Sequence, residues 1–394
     1  MPKLRAFAKM GRETKFRITA ATLLVVLIAI FLEVGSRTIF AIKLNDPDIF
    51  FYPVLEEKAQ VFTYNQFSPT GSLQPQNSVD GYLKYRPDTQ LKMYALDGEG
   101  ELRPYTTMIN NLGFRGRALD PKLSHNLTRI ICLGESSTFG AYNRDETTWP
   151  AALERMLNAT NNDDRYEVIN MGVSESTTKT LSAIILNEVL PLRPDLVLFY
   201  GGNNDVAQYL FGRKNQIKLS RSYSFFFELI RAQYYRSIYH EAVSGSEYAD
   251  RVFSGASVVG TKFSENLRRA AENLGDSGVN FAIVLQSLAA QGDLKGTFNT
   301  YSEYYQYLLS GKERAEFEFS LANNIAFIHY QMMSDLNPDL GIILDGRKAL
   351  AGRQHEFVSH VHLTPEGNAL LAKYLQERVQ EILKSGRNDR TRHQ

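Results

Sequence analysis

From residue 129 onward, the chain alternates short apolar runs with longer segments in which apolar residues recur at helical spacing. Apolar runs of about four to six residues bounded by glycine are typical of buried parallel strands, and the longer segments are typical of amphipathic helices. The pattern predicts an α/β fold: a doubly wound (flavodoxin-like) five-stranded parallel sheet with helices on both faces. The predicted strands cover residues 129–134, 166–171, 195–200, 278–285 and 325–329, and the predicted helices cover residues 146–158, 180–190, 262–274 and 365–383.

Near the N-terminus, an uncharged run over residues 18–32, apolar apart from two threonines, follows a flank that holds six lysine and arginine residues. Residues on either side can extend this run toward the roughly 20 that a membrane-spanning helix needs. The pattern predicts a transmembrane signal anchor over residues 16–38. A cleaved signal peptide is the weaker alternative, because no small-x-small cleavage site follows the run. Residues 1–15, which hold five of these six basic residues, would stay in the cytoplasm, and the chain after the anchor would be translocated, which makes a single-pass protein.

The remaining segments complete the predicted organisation. Residues 39–128, rich in proline, asparagine, tyrosine and glycine, are expected to form an extracytoplasmic N-terminal extension of short strands and loops. Its segment 111–116 holds Arg115, which would either face an acidic substrate or, as we favour, form a structural salt bridge. The main domain is predicted over residues 129–386, with aromatic-rich insertions at 206–260 and 289–309 that form either a flap over the site or packing against the sheet, and residues 387–394 are expected to be a disordered tail.

Composition restricts the classes of function. The 394 residues carry a formal net charge of +1, and dense basic runs lie only at the two termini, which disfavours nucleic acid as a partner. The only cysteine, Cys132, excludes a disulfide within the chain and is expected to be a small core residue. No segment indicates a cofactor. A metal site on His355, His360 and His362 is a weak hypothesis, since no acidic metal-binding segment accompanies these histidines.

Small and polar residues follow the first three predicted strands, at Gly134-Glu135-Ser136, at Gly172 and at Gly202-Asn203-Asn204-Asp205. Parallel strands place these ends at one edge of the sheet, where α/β proteins bind ligands. A serine nucleophile there needs oxyanion donors, which a serine N–H, a glycine N–H and an asparagine amide supply, and it needs a general base. The loop over residues 359–368 offers two histidines as the base. The alternative is that the serines only cap the next helix.

In this order along the chain, these segments resemble the four motif blocks of the SGNH/GDSL hydrolase superfamily over roughly residues 129–385. The Gly-Asp-Ser block matches Gly134-Glu135-Ser136, which implies Ser136 as the nucleophile, with Ser137 as its close rival. The resemblance further implies Gly172 and the Asn204 side chain as oxyanion donors and His362 as the base. The anchor and the segment ending in Gly113-Phe114-Arg115-Gly116 also resemble bacterial envelope members of the superfamily, which implies that the main domain lies in the bacterial periplasm or at the cell surface.

The sequence departs from the family pattern at two positions. Glu135 replaces the aspartate of the first block, and Ser359 replaces the acid three residues before His362. The acid normally orients the base and stabilises its cationic form. The Ser359 hydroxyl, a backbone carbonyl, Asp345 and Glu356 remain as candidates to support His362. The site is therefore either a Ser–His dyad with reduced basicity or a site that has lost turnover.

Three functions remain open from the sequence. The first is a serine esterase that removes small O-acyl groups, such as acetyl, from an envelope glycan or lipid through an acyl-enzyme on Ser136. The second is an O-acyltransferase acting on a cell-envelope polysaccharide with the same residues. The third is a non-catalytic binding protein with this fold. The acylated substrate and the membrane are the expected partners, and no protein partner is indicated.

Overall fold

The computed structural model describes residues 11–43, 73–76, 81–100, 102–119, 127–160, 165–211, 224, 226–227, 230, 246–289 and 325–392. The chain divides into two compact units. One unit combines Met1–Ala59 with Lys218–Ile238, and the other combines Gln60–Ile217 with Tyr239–Gln394.

The first unit contains helix α1, Arg12–Lys43. Its part Arg12–Ile39 is long and apolar enough to cross a membrane. Large apolar side chains along it, such as Leu23 and Phe31, are exposed. At its C-terminal part, Glu33 pairs with Arg37 at 2.9 Å and accepts a hydrogen bond from the Ser224 hydroxyl at 2.7 Å. The predicted apolar helix over 16–38 is thus present.

The second unit contains nine described strands, which are β1 Leu73–Gln76, β2 Tyr82–Tyr85, β3 Thr89–Leu96, β4 Leu102–Ile109, β5 Leu127–Gly134, β6 Arg165–Gly172, β7 Leu196–Gly201, β8 Asn280–Leu285 and β9 Ile342–Leu344. The last five form the predicted five-stranded parallel sheet, in the order β6-β5-β7-β8-β9. Numbered from β5, this is the flavodoxin-like order 2-1-3-4-5, whose ligands bind at the switch between the first and third strands. The N-terminal extension adds two antiparallel pairs, β1–β2 and β3–β4.

Helices cover both faces of the sheet, because successive strand residues point to opposite faces and both sets are apolar. On one face, Ile130 and Cys132 of β5 belong to a core with Trp149 and Leu371, whereas Leu133 belongs to the opposite core with Phe263. Cys132 is fully buried, as expected for a core residue. The helices are α2 Ser136–Phe139, α3 Trp149–Thr160, α4 Leu181–Ile184, α5 Asn203–Phe211, α6 Ser246–Gly275, α7 over residues 325–334 and α8 Pro365–Arg392.

The prediction of a fifth strand at 325–329 is wrong. These residues begin helix α7, and the fifth strand is β9. Ile325, Ile328 and Met332 are buried at a helical spacing, which five residues alone are too few to show. The tail also differs from expectation, since α8 continues to Arg392 through most of the segment predicted to be disordered.

Two predicted helices differ from expectation, one in its regularity and the other in its length. The predicted helix over 180–190 is helical but mixed, with a short α4 between 3₁₀ turns and a π-helical turn. Helix α6 begins at Ser246, inside the first predicted insertion. Of the insertion at 289–309, only Ala289 lies within the described residues.

Candidate active site

Strand β5 delivers Ser136 to the edge of the sheet as the first residue of α2. The Ser136 Oγ lies 2.9 Å from Nε2 of His362. Its rival Ser137 is buried, and its Oγ accepts a hydrogen bond from Nε2 of Gln286 at 2.8 Å. Of the two serines, Ser136 is therefore the one that contacts the histidine.

His362 lies in a tight turn before α8, where its carbonyl accepts the backbone N–H of Val358 at 2.7 Å. Its ring is buried and stands edge-on to the Tyr142 ring, with centroids 5.3 Å apart. Burial, and then the neighbouring His360, lowers the pKa of His362 from 6.5 to about 3. The imidazole is consequently neutral near pH 7, the state in which it can accept a proton.

Ser359 supports the other side of the His362 ring. Its Oγ lies 2.7 Å from Nδ1 of His362 and also accepts the backbone N–H of His362 at 3.1 Å. The two acidic candidates have other partners: Asp345 binds Arg347 at 2.6 Å, and Glu356 accepts the Thr364 hydroxyl at 2.5 Å. Among the side chains named from sequence, Ser359 alone contacts Nδ1, so the ring has a neutral hydroxyl where the family has an acid.

The two predicted oxyanion donors are Gly172, the last residue of β6, and Asn204, the second residue of α5, which follows β7. The N–H of Gly172 donates to Oδ1 of Asn170 at 3.0 Å, and the Asn204 amide donates to the carbonyl of Ser176 at 2.9 Å. The Asn204 amide nitrogen carries a second hydrogen. A side chain at Gly172 would put its Cβ 2.1 Å from the backbone nitrogen of Phe139, so close packing against α2 also requires glycine there. The oxyanion role of both residues stays a prediction.

Glu135 joins the turn at Ser136 to the segment after β7. Its Oε1 accepts the backbone N–H groups of Gly202 at 2.8 Å and of Asn204 at 3.0 Å. The side chain is buried, and Oε2 has no hydrogen-bond partner within the described part of the chain. Burial, and then the nearby Asp205 carboxylate, raises the pKa of Glu135 from 4.5 to about 8. Glu135 is therefore a protonated acid near neutral pH that fixes backbone around the site.

The three histidines of the metal hypothesis bind separate partners. His355 lies 3.1 Å from Glu356, His360 contacts Oδ1 of Asn203 at 3.1 Å, and His362 contacts the serines. Among the residues that the structure describes, no group of three or more His, Cys, Asp or Glu side chains could hold a metal ion.

Sequence reasoning missed Gln286, which follows β8 and joins two loops of the site. Its Oε1 accepts the backbone N–H of Asn203 at 3.1 Å, while its Nε2 binds Ser137. The available signal was its position just beyond the carboxyl end of a strand, because the same position had indicated Ser136, Gly172 and Asn204. Tyr142 and Asn143 were also missed, and no motif marks them.

Residues 132–307 match the family model described as "GDSL-like Lipase/Acylhydrolase family". Among solved structures, the acetyl xylan esterase AlAXEase is similar at 16% identity and a TM-score of 0.37, with 64% of this chain and 99% of that chain covered. A catalytic mutant of Axe2, an acetylxylan esterase from Geobacillus stearothermophilus, is similar at 13% identity and a TM-score of 0.35, with 65% and 94% covered. No curated protein matches the chain.

Proposed function

We propose that this chain, whose residues 132–307 match the model of the GDSL-like lipase and acylhydrolase family, is a serine esterase that removes small O-acyl groups, such as acetyl, from an envelope glycan or lipid. The observation that carries the proposal is the 2.9 Å contact between the Ser136 hydroxyl and Nε2 of His362. A nucleophile and a base at hydrogen-bond distance, with the base held from its other side, form the core of a serine hydrolase site.

In the proposed reaction, Ser136 Oγ attacks the ester carbonyl carbon while its proton passes to Nε2 of His362. The carbonyl oxygen becomes an oxyanion that is stabilised by the second hydrogen of the Asn204 amide and by the Gly172 N–H, once the Asn170 side chain releases it. Collapse of this intermediate breaks the bond to the alcohol, which takes the proton from His362. Water then attacks the acyl-Ser136 ester with His362 again as the base, and it releases the carboxylic acid.

Ser359 determines how strong this base is. For Nε2 to accept the Ser136 proton, the neutral ring must carry its hydrogen on Nδ1 and donate it to Ser359 Oγ, 2.7 Å away, which already accepts the backbone N–H groups of His362 at 3.1 Å and of Val361 at 3.3 Å. A hydroxyl can accept this bond, but it adds no negative charge to stabilise the imidazolium. We therefore infer a working Ser–His dyad whose base is weaker than that of a triad with a carboxylate.

We also propose that α1 is an uncleaved signal anchor that leaves the GDSL-like domain outside the cytoplasm. The support is its exposed apolar surface together with the basic residues that precede its apolar run. A cleaved signal sequence would carry the same apolar helix, so the location needs its own experiment.

The proposed esterase is tested with the detergent-solubilised protein and p-nitrophenyl esters of acetate, butyrate and octanoate. We expect a burst of p-nitrophenol, fastest with acetate, and an acetyl group on the peptide that holds Ser136 in mass spectra of the quenched reaction. Ser136→Ala should abolish both signals, while Ser137→Ala should reduce the burst less. Equal bursts from the wild type and Ser136→Ala would overturn the proposal. Adding a glycan acceptor distinguishes transfer from hydrolysis, because a transferase would yield an acylated glycan.

A further inference from the structure

Arg115 lies outside the four motif blocks, in the turn that follows β4. The Asn110 side chain shapes this turn by accepting the backbone N–H groups of Leu112 and Phe114 at 2.9 and 3.1 Å. Phe114 is fully buried, and a backbone bridge pairs Arg115 with Ile109. These contacts hold the turn, and the Arg115 side chain is directed into the protein, where only 2% of it is exposed.

The Arg115 guanidinium binds the chain that follows α2. Its Nη1 donates to the carbonyls of Phe139 at 2.9 Å and of Gly140 at 2.8 Å. Its Nη2 donates to the carbonyl of Asn143 at 2.7 Å, and its Nε donates to Oδ1 of Asp145 at 2.7 Å. The carbonyls at the end of a helix have no partner within the helix. Arg115 donates to both of these carbonyls, together with Asn170 Nδ2, which binds the Phe139 carbonyl at 3.3 Å, and the Asn143 N–H, which binds the Gly140 carbonyl at 3.1 Å.

The same loop contacts the segment that carries the base. Asn143 Nδ2 donates to the carbonyl of Leu363 at 2.8 Å, one residue after His362. Tyr142 places its ring edge-on against the His362 imidazole. One side chain from the N-terminal extension thus holds a loop that is joined to Ser136 at one end and packed against His362 at the other.

We propose that Arg115 is a positioning residue that keeps the Ser136 hydroxyl and the His362 ring in reactive geometry. The inference rests on the proposed serine esterase function. Only 2% of the Arg115 side chain is exposed and its donors reach four protein acceptors, so a role in binding substrate carboxylates does not fit. The planar fork of arginine can reach several carbonyls at once, which the single ammonium of lysine cannot.

The test compares Arg115→Lys with Arg117→Lys. Arg117 is two residues away, has 62% of its side chain exposed and pairs with Glu154. Its replacement by lysine therefore controls for the loss of an arginine while the four bonds of Arg115 stay intact. We expect Arg115→Lys to lower the acylation burst rate per titrated active site by about 10²-fold, because a misplacement of about 1 Å costs that much, with little change in KM. Arg117→Lys should keep the wild-type rate. An arginine that only stabilises the fold would change the melting temperature and the fraction of active sites, but not the rate per site.

Two further variants keep the test decisive if Arg115→Lys folds poorly. Asn143→Ala removes the bonds of its amide to the carbonyls of Ala141 and Leu363 and leaves every Arg115 acceptor in place, so we expect a smaller drop in the burst rate per titrated active site. Arg115→Ala should regain part of its rate when guanidinium is added at non-denaturing concentrations, and Arg117→Ala should not respond. Wild-type burst rates in both Arg115→Lys and Asn143→Ala would overturn the inference. Failure of the esterase proposal differs visibly, because Ser136→Ala would then match the wild type.

Discussion

The Ser359 hydroxyl oxygen lies 2.7 Å from Nδ1 of His362, and it also accepts the backbone N–H of His362. This is the side of the ring that a carboxylate occupies in a Ser-His-Asp triad. A buried hydroxyl orients the ring, but it leaves the cationic form of the histidine without a counter-charge. This contact predicts that His362 is held in the orientation of a serine hydrolase base but is a weaker base than it would be beside a carboxylate.

Ser359→Asp should strengthen the base. The carboxylate would accept the Nδ1 hydrogen and raise the pKa of His362 above its value of about 3. We expect kcat to rise by roughly 10-fold or more, in the range that general-base catalysis supplies. Because a base with a higher pKa is protonated at higher pH, the acidic limb of the kcat/KM profile should move upward in pH.

Ser359→Asn is the matched control, since it can accept a hydrogen bond but has no charge, and it should shift neither kcat nor the acidic limb. His362→Ala should remove nearly all activity in either background, and His360→Ala should be milder. Turnover gained by Ser359→Asp in an otherwise silent protein would identify the wild type as a binding protein with a decayed triad. An unchanged pH profile in Ser359→Asp would contradict the dyad mechanism.

Asn204→Ala should lower kcat by about 10²-fold with a smaller change in KM, because an oxyanion donor acts mainly in the transition state. Its backbone N–H to Glu135 remains, so the loop should keep its position. Asn204→Asp keeps the shape and loses the amide donor, and it should be at least as damaging. Steady-state kinetics with p-nitrophenyl acetate measures both variants. A change confined to KM would mean that Asn204 only binds substrate.

Glu135→Gln should remove part of the pH dependence of stability. With a pKa of about 8 in the folded protein and 4.5 as its ordinary value, Glu135 holds a proton in the folded state that the unfolded chain releases between those values. Its contribution to the free energy of unfolding is therefore present at low pH and is lost as pH rises through this window. The glutamine is neutral throughout, and its Oε1 can still accept both backbone N–H groups.

Melting temperatures in detergent at pH 5 and pH 8, two values that lie roughly within that window, measure this effect. The wild type should lose more stability between them than Glu135→Gln does. Glu146→Gln, at an exposed side chain, should behave as the wild type. The same loss in Glu135→Gln and in the wild type would show that burial of this acid does not cause the dependence.

The orientation of α1 is tested by fusing alkaline phosphatase, which is active only outside the cytoplasm, to the C-terminus. We expect activity from the fusion and no fluorescence from a matched reporter that works only in the cytoplasm. Neutral replacements of the basic residues before α1 should weaken this orientation, since positive flanks are retained inside. Release of the protein from membranes by a salt wash alone would refute the anchor.

The sequence by itself determined the order of the site. Ser136, Gly172 and Asn204 each lie at or just after the end of an apolar strand. Parallel strands bring their carboxyl ends to one edge of the sheet, whatever the conformation of the loops between them. The apolar helix near the N-terminus was also predictable, because its length and composition are local properties. The contact between Ser136 and His362 follows the order of the family motifs, although only the folded chain supplies its distance.

Tertiary structure decided what local pattern leaves open. Residues 325–329 are apolar enough for a strand, but packing against the sheet face selects helix α7, and Ile342–Leu344 takes the edge position instead. Distance along the sequence could not show which of Ser359, Asp345 and Glu356 contacts His362. In the folded chain, Asp345 binds Arg347 and Glu356 binds Thr364, so Ser359 is left at the ring. Arg115 and Gln286 act on loops that are distant along the chain, so their contacts exist only after the elements that carry them have packed together.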